Sequence, residues 1–231
     1  MARSMSPNDT SSQTPMPKVT AHLSISLDGY VAGPDPSDED PLGRGGELLH
    51  EWLFATRYFN DTHGTKGGGD DNDDSRLLDQ TWGGIRAEVM GRGKFSGGSG
   101  PWEADGNARG WWGDEPPFHY PVFVLTRHPR DPLPMEGGTT FTFVSDGIES
   151  ALDQARAAAG DGDVLIGGGA AVGQQYLKAG LVDEMHLHIA PVFLGGGRRL
   201  FENHTSAAPA QLERTGVVAS PSGVVHVSYR R

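Results

Sequence analysis

The sequence predicts an α/β domain with a mainly parallel central sheet, flanking helices and an antiparallel hairpin near its C-terminal end. Three observations predict it. Segments with the two-residue alternation of strands take turns with segments of helical spacing along most of the 231 residues. Several apolar strands run into glycine-rich turns before the next helical segment, the connection a parallel sheet requires. The end of the chain instead pairs Val217-Val218 with Val224–Tyr229 around Pro221-Ser222-Gly223, the pattern of a hairpin.

Residues 1–17 are rich in Ser, Pro, Thr and Asn and are expected to form a disordered tail, leaving 18–231 as one domain. The first strand alternates Val19, Ala21, Leu23 and Ile25 with Thr20, His22, Ser24 and Ser26, then meets the turn signal Asp28-Gly29. An acidic, proline-containing loop follows at Pro34–Pro41. Leu48, Leu49, Trp52, Leu53 and Tyr58 lie at helical spacing and predict a helix over Gly46–Phe59. Gly64–Asp74 reads as a solvated glycine and aspartate loop. Its aspartates fail the EF-hand pattern, since counting from Asp70 puts Ser75 at the sixth position and Thr81 at the twelfth.

Ile85–Met90 is a short apolar strand leading into Gly91-Arg92-Gly93-Lys94. Residues 96–118 form a long loop with Trp102, Trp111 and Trp112, a length that is usually functional when rich in aromatics. Val122–Leu125 and Thr140–Val144 are strands. Asp146 with Glu149 resembles a capping box for a helix carrying Ile148, Ala151, Leu152 and Ala155. Asp163–Ile166 is a buried-type strand, Gly167–Gly169 a turn, and Ala170–Ala179 a helix closed by Gly180. Met185, Leu187 and Ile189 alternate in the next strand.

Composition excludes several functions. A net charge of −11 argues against a nucleic-acid partner, because no basic surplus exists to displace counterions. Zero cysteines remove disulfides, thiolate zinc sites and a cysteine nucleophile, and fit a reducing, cytoplasmic compartment. No apolar run approaches the ~20 residues of a membrane span, and residues 1–17 lack the apolar core of a signal peptide. The partner expected is a small molecule. His186 and His188 alternate on one strand and read as sheet-surface histidines rather than metal ligands, so no metal site is expected. Ser222-Gly223 belongs to a turn, and no G-x-S-x-G element supports a hydrolase.

Gly167-Gly168-Gly169-Ala170-Ala171-Val172 joins a strand to a helix, where bare backbone and the first helical amides suit a pyrophosphate. A tight packing turn is the other reading, and the run is not the Rossmann fingerprint, since Val172 occupies its sixth position. Gly91, Arg92, Gly93 and Lys94 form a second strand end of this kind, and Thr126-Arg127-His128 a third. Ligands of open α/β sheets bind outside the carboxyl ends of the strands. Arg127 has the planar fork that matches the 2′-phosphate distinguishing NADPH from NADH. Asp28, at the mouth of the first strand, is the candidate for substrate orientation or proton relay, with a plain turn role as the alternative. Ser26 can contact cofactor or substrate from the same strand end. Trp52, Trp111 and Trp112 can wall a heterocycle pocket, although the spacing of Trp52 also fits a core position.

Ser26-Leu27-Asp28-Gly29-Tyr30-Val31-Ala32, Val89-Met90-Gly91-Arg92, Val124-Leu125-Thr126-Arg127, Ile166–Val172 and Asp183-Glu184-Met185-His186-Leu187-His188 follow one another in a familiar order. Over about residues 18–230 this series resembles the dihydrofolate reductase-like family, and within it the C-terminal reductase domain of bacterial riboflavin biosynthesis proteins. The resemblance implies NADPH with its pyrophosphate across Gly91–Lys94 and Gly168–Val172 and its 2′-phosphate near Thr126 and Arg127. It implies hydride transfer, to the ribose C1′ of a ribosylaminopyrimidine phosphate (5-amino-6-(5-phosphoribosylamino)uracil reductase activity) or to another C=N or C=C bond such as that of a pterin. A homodimer is implied as well. The folate enzyme's helix carboxylate has only Glu47 and Glu51 as counterparts, neither in a matching motif, and the acidic stretches at 34–45 and 61–76 fit neither subgroup. A zinc deaminase of the riboflavin pathway needs cysteine ligands, which this sequence lacks. A non-catalytic nucleotide-binding protein with the same fold, and a flavin enzyme, stand as alternatives.

Overall fold

The computed structural model describes residues 17–37, 40–98, 100–106, 108–202 and 211–231; the expectation of a disordered tail falls on residues 1–16, outside that set. The central sheet has nine strands. They are β1 (Val19–Ile25), β3 (Ile85–Gly91), β4 (Pro121–Leu125), β5 (Leu133–Pro134), β6 (Thr140–Val144), β7 (Asp163–Gly168), β8 (Glu184–Ile189), β10 (Glu213–Ala219) and β11 (Val225–Arg230). A small separate ribbon pairs β2 (Tyr30–Ala32) with β9 (Arg198–Arg199). The sheet order is β10-β11-β8-β1-β7-β3-β4-β6-β5. The six strands from β8 to β6 run parallel, with β11, β10 and β5 antiparallel at the two sides, so the expected architecture is present.

Alternation along the strands divides the core between two layers. On one face Ala21, Leu23, Ala87, Val89, Val164, Ile166 and Leu187 meet α5 (Ile148–Ala159) and α6 (Ala170–Ala179) through Leu152, Ala155, Val172 and Tyr176. Gly180 ends α6 in the left-handed region at φ 68°, where a glycine avoids the Cβ penalty, as its position predicts. On the other face, Met90, Val122, Val124, Phe141 and Phe143 pack under the short α4 (Arg92–Ser96) and the tryptophan loop. The same face of β1, β8 and β11 lies beneath α1 (Glu51–Phe54), α2 (Arg57–Thr62) and α3 (Asp73–Trp82).

Three local expectations change. The helix predicted over Gly46–Phe59 is a 3-10 turn at Gly46–Leu49 followed by α1 and α2. Thr56 breaks it: its extended backbone and a side chain accepting from the Phe59 amide start a new helix. Gly64–Asn72 is a loop as read, but Asp73 and Asp74 at its end begin α3, with Asn72 capping the Ser75 amide and the two aspartates in the first turn, where the helix dipole favours them. Asp146 does not cap α5, because Gly147 at φ 101° occupies the cap position without a side chain. Among the described residues no helix is long and apolar enough to cross a membrane.

Candidate functional site

Because β1, β7, β3 and β4 are consecutive neighbours running the same way, their carboxyl ends share one edge of the sheet. That edge collects Ser26–Asp28, Gly167–Val172, Gly91–Lys94 and Thr126-Arg127, so the sequence-selected strand ends do come together. The turns after β3 and β7 touch: a Cβ on Gly91 would come within 2.8 Å of Val172 Cγ2. Gly168, at φ +90°, and Gly169 and Gly93 would meet nothing within 4 Å, which leaves bare backbone facing open space. The amides of Val172 and Gly173 turn back to the Gly169 carbonyl, while those of Ala170 and Ala171 precede the first intrahelical bonds. Backbone amides in such an arrangement can hold an anionic group. Gly167 serves another purpose. A Cβ there would overlap the Glu88 carboxylate and lie 2.9 Å from Lys94 Nζ, so its bareness makes room beneath the edge rather than above it.

The cations at the edge differ in availability. Arg92 turns inward: its Nε donates to Ser96 Oγ at 2.9 Å, its guanidinium pairs with Asp105, and Cζ lies 3.2 Å from the Trp102 ring centroid. Trp102 donates to the His128 carbonyl at 2.7 Å and also carries Arg130 at 4.6 Å. The Arg92 side chain therefore clamps the tryptophan loop and does not reach a phosphate; only its backbone lines the turn. Lys94 Nζ donates at 2.7 Å to Glu88, which is 1% exposed. The Tyr120 hydroxyl donates to the second Glu88 oxygen at 3.3 Å, and burial together with that negative charge pushes the phenol well above its usual range. Arg127 is exposed and has neither an ion pair nor a hydrogen bond among the described residues. The Thr126 hydroxyl beside it accepts from the His128 amide at 3.1 Å.

Asp28 is held as an anion. Ser26 Oγ donates to it at 2.5 Å, Gly195 N at 2.7 Å and Leu194 N at 3.2 Å, and these bonds, the Ser26 hydroxyl first, lower its pKa to about 2. A carboxylate in that state carries no proton of its own near neutral pH and can only accept one. Its visible work is to pin residues 194–195 to the end of β1, beside a cleft of about 480 Å3 lined by Pro34, Arg44, Leu48 and Phe193. Since its folded pKa lies below the ordinary 3.8, its stabilising contribution is complete above the unfolded value and is lost as pH falls towards 2. Asp28→Asn is expected to speed amide hydrogen exchange at Leu194 and Gly195, and unchanged protection there would contradict the clamp.

Trp52 is 6% exposed and donates to the Leu49 carbonyl at 3.0 Å and to Ser24 Oγ at 3.3 Å. It lies in the core layer, 4.7 Å from the His188 ring. Trp112 is half-buried against Phe118, within 5.9 Å of Lys94 Nζ, and its indole N–H has no partner among the described residues. His186 and His188 are not sheet-surface residues. Both are buried with His22 and His226 under α1–α3, because this face of the sheet is covered rather than wet. Among the described residues no group of three or more His, Asp or Glu side chains is placed to hold a metal ion. Glu88, Tyr120, Asp74 and His22 were not picked out from sequence. A carboxylate inside an apolar strand, Glu88 between Ala87 and Val89, was the one available signal.

No curated protein sequence matches this chain. A protein from Shewanella sp. PV-4 described as a riboflavin biosynthesis protein superposes with a TM-score of 0.58 at 20% identity, over 93% of this chain and 98% of that one. The deaminase/5-amino-6-(5-phosphoribosylamino)uracil reductase of Thermotoga maritima gives 0.54 at 15% identity, over 93% of this chain and 56% of that one. Acinetobacter baumannii RibD gives 0.54 at 16%, over 93% and 58%. This chain thus matches little more than half of each of the two longer proteins, and likeness at such identities establishes a shared fold. The RibD C-terminal domain family matches residues 17–226, and the chain belongs to that family.

Proposed function

We propose that this chain is an NADPH-dependent reductase of a small heterocyclic or ribosylamine acceptor. The observation that carries the reading is the open glycine edge, Gly93 and Gly168-Gly169, with Arg127, which has no ion pair among the described residues, at the end of the strand beside that of Gly93. The residues present fit the cofactor. The backbone of Gly91–Lys94 and of Gly168–Val172 would hold the pyrophosphate, and Thr126 and Arg127 the 2′-phosphate. When bound, NADPH supplies the hydride; the protein supplies orientation and exclusion of water. Ser26 and Asp28 fix the end of β1. The acceptor of the Thermotoga relative, a ribosylaminouracil phosphate, is the substrate to try first. A homodimer formed along the edge strand β10 belongs to the same proposal, and sedimentation at micromolar concentration tests it.

NADPH at a hundred times its Kd should stabilise the fold by about 2.7 kcal/mol, which for this length raises Tm by roughly 5–10 °C. NADH at equal concentration should give much less. Arg127→Glu is expected to remove the difference between the two. If NADPH affinity is unchanged in that variant, the 2′-phosphate does not bind there.

A further inference from the structure

Eight buried side-chain polar atoms lack a partner among the described residues, and six of them gather in one place: Thr20 Oγ1, His22 Nδ1 and Nε2, Asp74 Oδ2, Trp82 Nε1 and His188 Nε2. All six lie between the covered face of β1 and β8 and the helices above it. An acceptor left unmet in such a place costs on the order of 1–3 kcal/mol. Concentration of that cost in one layer marks a place where something else supplies hydrogen bonds.

The hydrogen-bond chain there fixes which kind of group is missing. Asp74 sits in the first turn of α3, where the helix dipole favours a carboxylate. Its Oδ1 lies 2.6 Å from His226 Nε2, which therefore carries the proton and donates. With His226 as the neutral ring, its Nδ1 is the lone-pair nitrogen and at 2.7 Å accepts from His188 Nδ1. His188 is left with its proton on Nδ1 and a bare lone pair on Nε2. His188 is 2% exposed, so that lone pair is not satisfied by bulk water. Ser24 is its register partner on β1, two residues before the strand end that carries Ser26.

We infer that His188 is an acceptor-substrate contact, offering a fixed lone pair on Nε2 to an N–H donor of the substrate ring, with His226 and Asp74 as the positioning residues that set its tautomer. The inference rests on the reductase reading and names what its acceptor must carry: a ring with imide- or amide-type N–H groups. Trp52, packed against the His188 ring, must shift when the ring enters.

The chain of bonds also predicts how to invert it. In Asp74→Asn the amide, with its NH2 turned to His226 Nε2, donates there and places the His226 proton on Nδ1 and the His188 proton on Nε2. The acceptor becomes a donor without loss of a side chain. The experiment uses the whole chain, with and without NADPH, and two probes: uracil, and 1,3-dimethyluracil, which has no N–H. Long-range 1H–15N correlation of the histidine rings should place the His188 proton on Nδ1 in the wild type and on Nε2 in Asp74→Asn. Uracil should bind the wild type, shift the His188 Nε2 resonance and change tryptophan fluorescence. Dimethyluracil should do neither, and Asp74→Asn should bind uracil at least tenfold more weakly.

A wild-type His188 protonated on Nε2 overturns the inference, and that measurement needs no variant, so a poorly folded Asp74→Asn does not shield it. Equal binding of the two uracils also overturns it, leaving an ordered water as the partner of Nε2. The NADPH-induced rise in Tm should be the same in wild type and Asp74→Asn. Its absence from both would sink the reductase reading while leaving the tautomer and uracil results to judge His188 on their own.

Discussion

Lys94→Met is expected to destabilise the protein by about 3 kcal/mol, far more than the loss of an ordinary surface lysine. The reason is the partner. Glu88 is 1% exposed, and without Lys94 its carboxylate keeps, among the described residues, only the Tyr120 hydroxyl at 3.3 Å. The lysine side chain is 28% exposed and can fall back on solvent, so Glu88→Gln should cost only about 1 kcal/mol. Replacing both, as Glu88→Leu with Lys94→Met, removes the charge along with its partner and should recover most of the loss. Urea denaturation measures this, read as midpoint shifts at constant slope, with wild type, Glu88→Leu, Lys94→Met and their combination forming a double-mutant cycle. A loss below about 1 kcal/mol for Lys94→Met alone would mean that Glu88 finds another partner or takes up a proton.

The second large effect is with pH. Burial, reinforced by the neighbouring imidazoles, holds His22 and His188 well below their usual value of 6.5; the neighbours are His186 and His188 for the first, and His226, His186 and His50 for the second. Around them stand Thr20 and Ser24 from β1, Glu184 and Lys18 near His186, Ser228 and His226 from β11, and Asp74 and Trp82 from α3. A histidine neutral in the folded state takes up its proton on unfolding. Its contribution is therefore whole above the unfolded pKa and falls as pH drops through 6.5 towards the lower folded value. Each such group gives a slope of about 1.4 kcal/mol per pH unit, or roughly 3 for the two together. Between pH 6.5 and 5 the two together remove about 4 kcal/mol, a large share of a typical total of about 5–15 kcal/mol. Thermal melts from pH 8 to 5 measure the slope, and His22→Gln should take away about half of it. A flat Tm over that range would mean that these rings are hydrated in the folded protein.

What the sequence disclosed, it disclosed through local chemistry. The alternation of Thr140–Val144 and the Gly180 stop after Ala179 depend on neighbours within a few residues, and both elements appear where expected. The strand ends could be picked out for the same reason, since glycine after an apolar run has few other uses. The destination of a side chain was not legible. Arg92 reads as a phosphate ligand until Trp102 and Asp105 arrive from a separate loop to enclose it. Thr20, His22, Ser24 and Ser26 read only as the polar side of an alternating strand, a side that ordinarily meets solvent. Here α1–α3 cover them, and the aspartates that begin α3 look in sequence like a loop. The covering layer and the polar face it hides each conceal the other.

The place of β1 in the sheet has a consequence for how the chain comes off the ribosome. It is the first strand made, yet it lies at the centre of the finished sheet, between β7 and β8. Its entry is tied to residues 145 and 164 positions later, where Asp163 accepts from the Lys18 amide and Asp183 from that of Val19. At synthesis rates of about 5–20 residues per second, β1 waits on the order of ten seconds or more with both edges unpaired. Its wait ends only when the strand on each side has emerged, so the sheet closes late and from the middle. His22 and the hydroxyls of Thr20 and Ser24 along one side of β1 keep that waiting strand half polar, which suits a segment that must stay in water before it is buried.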